Sequence, residues 1–301
     1  MTAAAMDALL SGQLLFAAAV AGALYALVAI GLNLVYGTMR LLNVAHGDVV
    51  MIGAYATYWC FSLLGLSPLI ALLISAAATA LIGGALYLGL FRRLVAERRT
   101  ARRLEANSLL LFFGISVIVQ NLAAFAFSAT PRGYQFLDTV WRVGDVFVTG
   151  NRLVALAIAL ATCIGIWLFL RFHILGLAIK ALIQNRDAAA VVGVDTDRVQ
   201  LTAFALGFAL AAIAGCLVSM TEQISPFMGF PFTIAAFVVV ILGGLGNLTG
   251  GIIAGFILGA IETYGVALTS PSLRSILLYA VFVGILMLRP QGLLGGARLF
   301  R

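Results

Sequence analysis

"QNRDAAAVVGVDTDRVQ", residues 184–200, reads as a piece of a water-soluble protein set inside a chain that is 63% hydrophobic and 10% charged. A link between two apolar runs needs only a few residues. This one extends from about Arg171 to Arg198, and its centre is a good helix former. Asp187 sits where a carboxylate suits the positive end of a helix dipole, and Gly193 where a C-terminal glycine is favoured. Asp195 is placed to cap a following helix that begins near Thr196 or Asp197. Ala188, Ala189 and Ala190 leave a thin face, followed by Val191 and Val192. Such a face suits a groove on another protein, and equally an amphipathic helix lying on a membrane surface.

The surroundings decide what kind of chain carries this segment. It has 301 residues, a mean hydropathy of +1.13 and 32 glycines. Apolar runs recur at about twenty residues, the length needed to cross a hydrocarbon core of about 30 Å. They read as Leu14–Val35, Leu41–Leu66, Pro68–Leu90, Leu109–Ala129, Leu153–Leu170, Val199–Met220 and Ser275–Leu288. A glycine-broken region over Phe232–Leu268 reads as one re-entrant hairpin or two short helices. Eleven acids and eighteen bases are too few to coat a soluble core. The expectation is an all-α polytopic membrane protein with eight to nine crossings and a single domain over 1–301. No removable signal peptide is read at the N-terminus.

The net charge of +7 invites a nucleic-acid reading, but its placement argues against one. Arg92, Arg93, Arg98, Arg99, Arg102 and Arg103 share one loop; Arg171, Lys180, Arg186 and Arg198 share the next; Arg289, Arg298 and Arg301 close the chain. Only Arg132, Arg142, Arg152 and Arg274 fall on the other side. By the positive-inside rule the basic side, with the C-terminus and residues 184–200, is cytoplasmic. Cys60, Cys163 and Cys216 lie far apart in apolar spans and read as core.

Two glycine-rich stretches hold the polar residues within hydrocarbon. "GLNLVYGTMRLLNVAHGDVVMIGAYATY", residues 31–58, places Asn33, Asn43, His46 and Asp48 among Gly37, Gly47 and Gly53, with Tyr36 alongside. Polar groups at this depth are costly and face a cavity or a partner helix. Asn33 reads as interhelical glue, whereas Asn43 and His46 flank a break and read as pathway residues. "ILGGLGNLTGGIIAGFILGAIE", residues 241–262, crowds Gly243, Gly244, Gly246, Asn247, Gly250 and Gly251 into a second break. Gly251, Gly255 and Gly259 then recur every four residues as a small-residue packing face. Glu262 reads equally as a packing, capping or pathway group.

These stretches, in this order, resemble the high-affinity branched-chain amino acid ABC transporter permeases of the LivH type. The resemblance rests on Gly31–Tyr58, with Asn43-Val-Ala-His46-Gly47 as its most specific element. It also rests on Asp187-Ala188-Ala189-x3-Gly193, which is similar to the Glu-Ala-Ala-x3-Gly coupling signature, and on the ending "RPQGLLG". It implies an inner-membrane permease fold, a LivM-like second permease subunit, two cytoplasmic ATPase subunits and a periplasmic binding protein. Its implied solutes are branched-chain or related small amino acids, with urea and short amides as the alternative. The implied path residues are Tyr36, Gly37, Asn43, His46, Gly47, Asp48, Gly243, Gly244, Gly246 and Asn247. The implied coupling residues are Asp187, Ala188, Ala189, Gly193, Asp197 and Arg198. Two departures fall near the path. Ala235-Ala236-Phe237 lacks a lysine many members carry, and Gly246-Asn247-Leu248-Thr249-Gly250 replaces Gly-Ser-x-Pro-Gly.

Rival classes fare less well. The chain has no phosphate loop around Lys180, no HExxH or GxSxG, and no Cys/His metal set, so neither an enzyme nor a cofactor is read. ATP is expected to be used by partner subunits. A secondary transporter or channel would need coupling acids, and only Asp48 and Glu262 are available within the spans.

Overall fold

The computed structural model describes residues 11–96 and 101–288. Its first helix, α1 (Gly12–Met39), opens on Ser11, whose hydroxyl accepts from the Leu14 amide. Arg40 closes it in the left-handed region at φ 56°. The chain then turns back through residues 40–45 before α2 (His46–Leu64) begins. Ser67 caps α3 (Pro68–Leu86), with Pro68 in its first turn. This helix runs through a π-turn (Tyr87–Phe91) into α4 (Arg92–Ala96). After α5 (Ala101–Phe127) come two short strands, β1 (Val140–Val143) and β2 (Val146–Thr149). Then follow α6 (Gly150–Phe172), α7 (Ile174–Gln184), α8 (Arg186–Val191) and α9 (Thr196–Thr221). The last three are α10 (Gly229–Gly243), α11 (Leu248–Leu268) and α12 (Arg274–Leu288).

Seven of these segments are long and apolar enough to cross a membrane: α1, α2, α3 with its continuation, α5, α6, α9 and α11. Three shorter apolar helices accompany them, α7, α10 and Pro271–Gly284, which runs into α12. The broken region is two helices meeting at residues 244–247. At 1.5 Å per residue the fifteen residues of α10 reach only about 22 Å, short of a full crossing. The expected run Leu41–Leu66 is divided, because its first five residues belong to the turn-back and not to α2. The expected start of α5 at Leu109 moves back to Ala101, since hydropathy registers only the part of a helix inside hydrocarbon. The RPQGLLG ending, Arg98, Arg99, Arg289, Arg298 and Arg301 lie outside the described residues.

The bundle is organised around α1, which is buried on every side from Ala23 to Val35, as befits a helix apolar all round. In lipid, helix association depends on close packing, so small residues carry the contacts. Gly255 and Gly259 of α11 lie on Ala26 and Gly22 of α1, where an added Cβ would overlap backbone. Gly31 of α1 and Gly207 of α9 face each other across 2.8 Å in the same sense. Gly215 and Ala212 of α9 take the backbone of α2 at Val50 and Gly53.

The two ends of the bundle differ. At the hairpin end β1 and β2 pair antiparallel, Val140 with Thr149. The Gln13 side chain bonds both polar backbone atoms of Phe147, at 3.1 and 2.9 Å, which fixes the start of α1 at this end. Arg132 bridges Ile224 beside it. At the opposite, basic end α4, α7 and α8 gather, and Arg40 adds a further exposed cation to that side.

Candidate functional site

The turn-back after α1 carries α2 deep into the bundle. The Val28 carbonyl accepts from His46 Nε2 at 3.0 Å, and Val28 lies eleven residues before Met39, about 16 Å along α1. The α2 N-terminus therefore starts near mid-depth. The start of α10 meets it there: a Cβ on Gly47 would overlap the Gly229 carbonyl, and one on Gly229 would overlap the Asp48 carboxylate. Thr233 stitches the contact, accepting from the Gly47 amide at 2.9 Å and donating to the Val44 carbonyl at 3.0 Å. On the other flank Gln120 of α5 donates to Asp48 Oδ1 at 2.9 Å and to Ser116 at 3.1 Å.

Non-helical backbone at membrane depth persists only where protein or a polar cavity surrounds it. Two non-helical segments, residues 40–45 and 222–228, lead inward from opposite ends to the two helix starts that converge here. Several buried polar atoms at the junction have no hydrogen-bond partner: both amide atoms of Asn43, His46 Nδ1 and Asp48 Oδ2. Asn43 and His46 are both 0% exposed. An orphaned polar atom in a dry site costs about 1–3 kcal/mol, so a set of them marks a place adapted to something other than stability. Asn43, His46, Gly47 and Asp48 are thus brought together as the sequence suggested. Thr233, Gln120 and Ser116 join them unannounced, because single hydroxyls and amides on apolar helices carry no spacing signal.

A second cluster lies at the break between α10 and α11. Gly244 and Gly246 have φ of 91° and 82°, a region that favours glycine. A Cβ on Gly243 would meet the Gly250 and Gly251 backbone at 2.5 Å. Asn247 caps α11 by accepting from the Gly250 amide at 3.0 Å. Asn33 of α1 clamps the turn, accepting from the Gly246 amide at 2.8 Å and donating to the Asn247 carbonyl at 3.0 Å. Its reading as glue agrees with these bonds. Gly37 lies under the same turn, where an added Cβ would stand 3.5 Å from Gly246 Cα and 3.1 Å from Ile183 of α7. Tyr36 joins neither cluster; its hydroxyl donates to Glu105 of α5 at 3.0 Å. Glu262 is buried and bonded by Tyr25 and Arg274 at the hairpin end, away from both breaks.

The segment 184–200 folds as its residues suggest. Asn185 caps α8, accepting from the Ala188 amide at 3.0 Å. The helix ends in a Schellman pair, Gly193 N–H to Ala190 at 3.1 Å and Val194 N–H to Ala189 at 3.0 Å, with Gly193 at φ 87°. Asp195 caps α9 by accepting from the Arg198 amide at 3.1 Å and pairs with Arg198 at 2.9 Å. Asp197 turns inward, bound by Arg92 at 2.9 Å and Tyr87 at 2.8 Å, which ties this segment to the π-turn of α3. Ala189 also faces inward, at 2% exposure, so it seats α8 on its own chain and does not belong to a docking face. The projecting face is Asp187, Ala188, Val191, Val192 and Gly193, with the two valines 86% and 77% exposed.

Comparison with known proteins agrees with this architecture. The family model described as the branched-chain amino acid transport system permease component matches residues 14–286. The permease protein LivH of Escherichia coli K12 is 31% identical over 294 residues, covering 94% of this chain and 95% of that protein. LivM of the same organism is 28% identical, covering 90% and 68%. One solved structure, PsaBC from Streptococcus pneumoniae in complex with Fab, shares the fold at a TM-score of 0.53 and 12% identity, with 97% of both chains covered. The relatives are permease components of transporters, and both halves of a permease pair, LivH and LivM, are among them. Seven apolar helices long enough to span, two broken elements meeting at mid-depth and a family match over residues 14–286 lead to one statement: this multi-pass membrane chain belongs to the permease components of branched-chain amino acid transport systems.

Proposed function

We propose that the chain is one membrane half of an ATP-driven importer for branched-chain or closely related small amino acids. It pairs with a LivM-like subunit, takes solute from a periplasmic binding protein at its hairpin end, and is driven by two ATPase subunits at its basic end. That end is then cytoplasmic, with the C-terminus on the same side of the inner membrane. The chain itself hydrolyses nothing and needs no cofactor; ATP is used by the partner subunits.

The observation that carries this reading is α8. Its two exposed valines project from the basic end on a rigid base: Ala189 is packed inward, both ends are capped, and Asp197 is bound to Arg92 and Tyr87. A partner that pushes on this face moves α9 and the lower half of α3 as one body. Since α9 packs on α1 and α2 through glycine contacts, the movement reaches the α2–α10 junction. There Asn43, His46 and Asp48 offer unpaired polar atoms to a passing polar group, and the glycine-only contact of Gly47 with Gly229 leaves no side chain to block separation.

The test is reconstitution of the chain with its sister permease, ATPase subunits and binding protein in liposomes. Leucine, isoleucine and valine uptake should require ATP hydrolysis, and urea should not compete. Uptake down a gradient in the absence of any ATPase subunit would overturn the reading in favour of a secondary carrier.

A further inference from the structure

A cavity of about 450 Å³ runs from one end of the bundle towards the mid-depth junction. It opens at the hairpin end, between the starts of α1, α6 and α12 and the ends of α9 and α11. On α1 it follows one face, Leu14, Ala17, Ala21, Leu24 and Tyr25, a helical i, i+3, i+4 pattern. Val28, whose carbonyl holds His46, continues that face one turn deeper. Phe232, in the first turn of α10, lines its floor. The cavity therefore descends from the surface to within a helical turn of the junction.

Its charges are the informative part. Arg152, Arg274, Glu222 and Glu262 all line it, so two cations and two anions balance. Glu262 is 5% exposed and bonded by Tyr25 and Arg274, while Arg274 reaches Tyr25 at 3.3 Å through its other nitrogen. This inner set is closed on itself and holds Arg274 at the wall. The outer set is open. Glu222 touches Arg274 only at 3.7 Å, and Arg152 makes no ion pair among the described residues. Burying an ion pair at membrane depth is costly and weak evidence for stability. A helix clamp of Tyr25, Glu262 and Arg274 needs neither Arg152, which makes no ion pair among the described residues, nor the loosely held Glu222 facing the same space. A polar hollow of about 390 Å³ shares Thr221 and Glu222 with the cavity, so the approach from outside passes over Glu222.

We propose that this cavity is an entry site for the zwitterionic end of an α-amino acid, with Arg152 receiving the carboxylate, Glu222 the ammonium group, and Leu14, Leu24, Val218 and Val266 the aliphatic side chain. The inference rests on the reading that the chain conducts amino acids, and it narrows that reading. A balanced pair of opposite charges suits a net-neutral solute that carries both signs, whereas uncharged urea can form no ion pair with either. Arg274 and Glu262 are positioning residues that fix the cavity wall.

The test uses the complete importer in liposomes. Arg152→Gln and Glu222→Gln remove exposed charges, so folding and ATPase association should be retained. Each should raise the KM for leucine uptake about tenfold, the size of losing one charge-assisted hydrogen bond. Arg152→Lys should restore most of the loss. As a second measurement, Val266→Cys in a Cys60→Ser background is labelled from the hairpin end by a membrane-impermeant thiol reagent. Leucine should slow labelling, and 4-methylpentanoate, leucinamide and urea should slow it less. Unchanged KM in both Gln variants, or equal protection by urea, would overturn the entry site while leaving the importer standing. Absence of any leucine uptake by the unmodified complex would instead sink the reading of function beneath it.

Discussion

Asn33 and Asn43 are ten residues apart, equally buried and equally amide, yet they are used in opposite ways. Both polar ends of Asn33 are bonded to the turn at Gly246 and Asn247, whereas neither end of Asn43 is bonded at all. Replacing Asn33 by Leu leaves the Gly246 amide without its acceptor, and should cost about 1–3 kcal/mol. The complex should then be recovered in lower yield and melt earlier in a detergent thermal-shift assay. Replacing Asn43 by Leu removes two unpaired groups and should leave melting unchanged or raise it, while leucine uptake falls severalfold. Equal loss of stability in both variants would show that Asn43 is held by a bond as firm as that of Asn33. The sequence shows that both residues lie in hydrocarbon and that one flanks a break. It does not show which is bonded, because their partners come from segments more than two hundred residues away for Asn33, and from none for Asn43.

At the scale of an element, α8 sets the exposed valines against the buried alanine. Val191→Asp with Val192→Asp changes only the projecting face, and should release the ATPase subunits while the permease pair stays folded. Co-purification of ATPase with the tagged permease measures this directly. Ala189→Arg should do something different: a long charged side chain forced into a closed seat should lower the amount of folded permease itself, by the overpacking cost of about 1–3 kcal/mol or more. If the Asp pair leaves ATPase association untouched, α8 is a surface link and the coupling reading fails. The C-terminal glycine of α8 and the cap of α9 were legible because both act locally: Gly193 and Asp195 work within a few residues, whereas Asn185, which caps α8 itself, was not read from the sequence. Which side of so short a helix faces inward was not legible. Six residues make fewer than two turns, so the pattern has no room to repeat. The β1–β2 hairpin escaped for a related reason, since four-residue strands between apolar helices give no alternation long enough to register.

For the whole molecule, glycine breaks and twenty-residue runs made the helical plan readable, and the clustering of arginines gives it an orientation that labelling tests. A cysteine placed at Gly144, in the hairpin turn, should react with a membrane-impermeant label in intact cells, and one at Val191 should react only after the membrane is opened. The reverse pattern would invert the whole arrangement. Depth was the quantity the sequence concealed, because hydropathy scores residues 41–45 as membrane without saying that they lead back from one side. That return has a consequence in time. Gly47 and its neighbours leave the ribosome long before Thr233, 186 residues later, which at about 5–20 residues per second is a wait of roughly 10–40 s. During that interval the start of α2 has neither Thr233 nor Gly229 beside it, and its polar groups sit in lipid or at the insertion channel. The first third of the permease is thus synthesised into a membrane that does not yet hold what it folds against, and its assembly is set by the arrival of the last third.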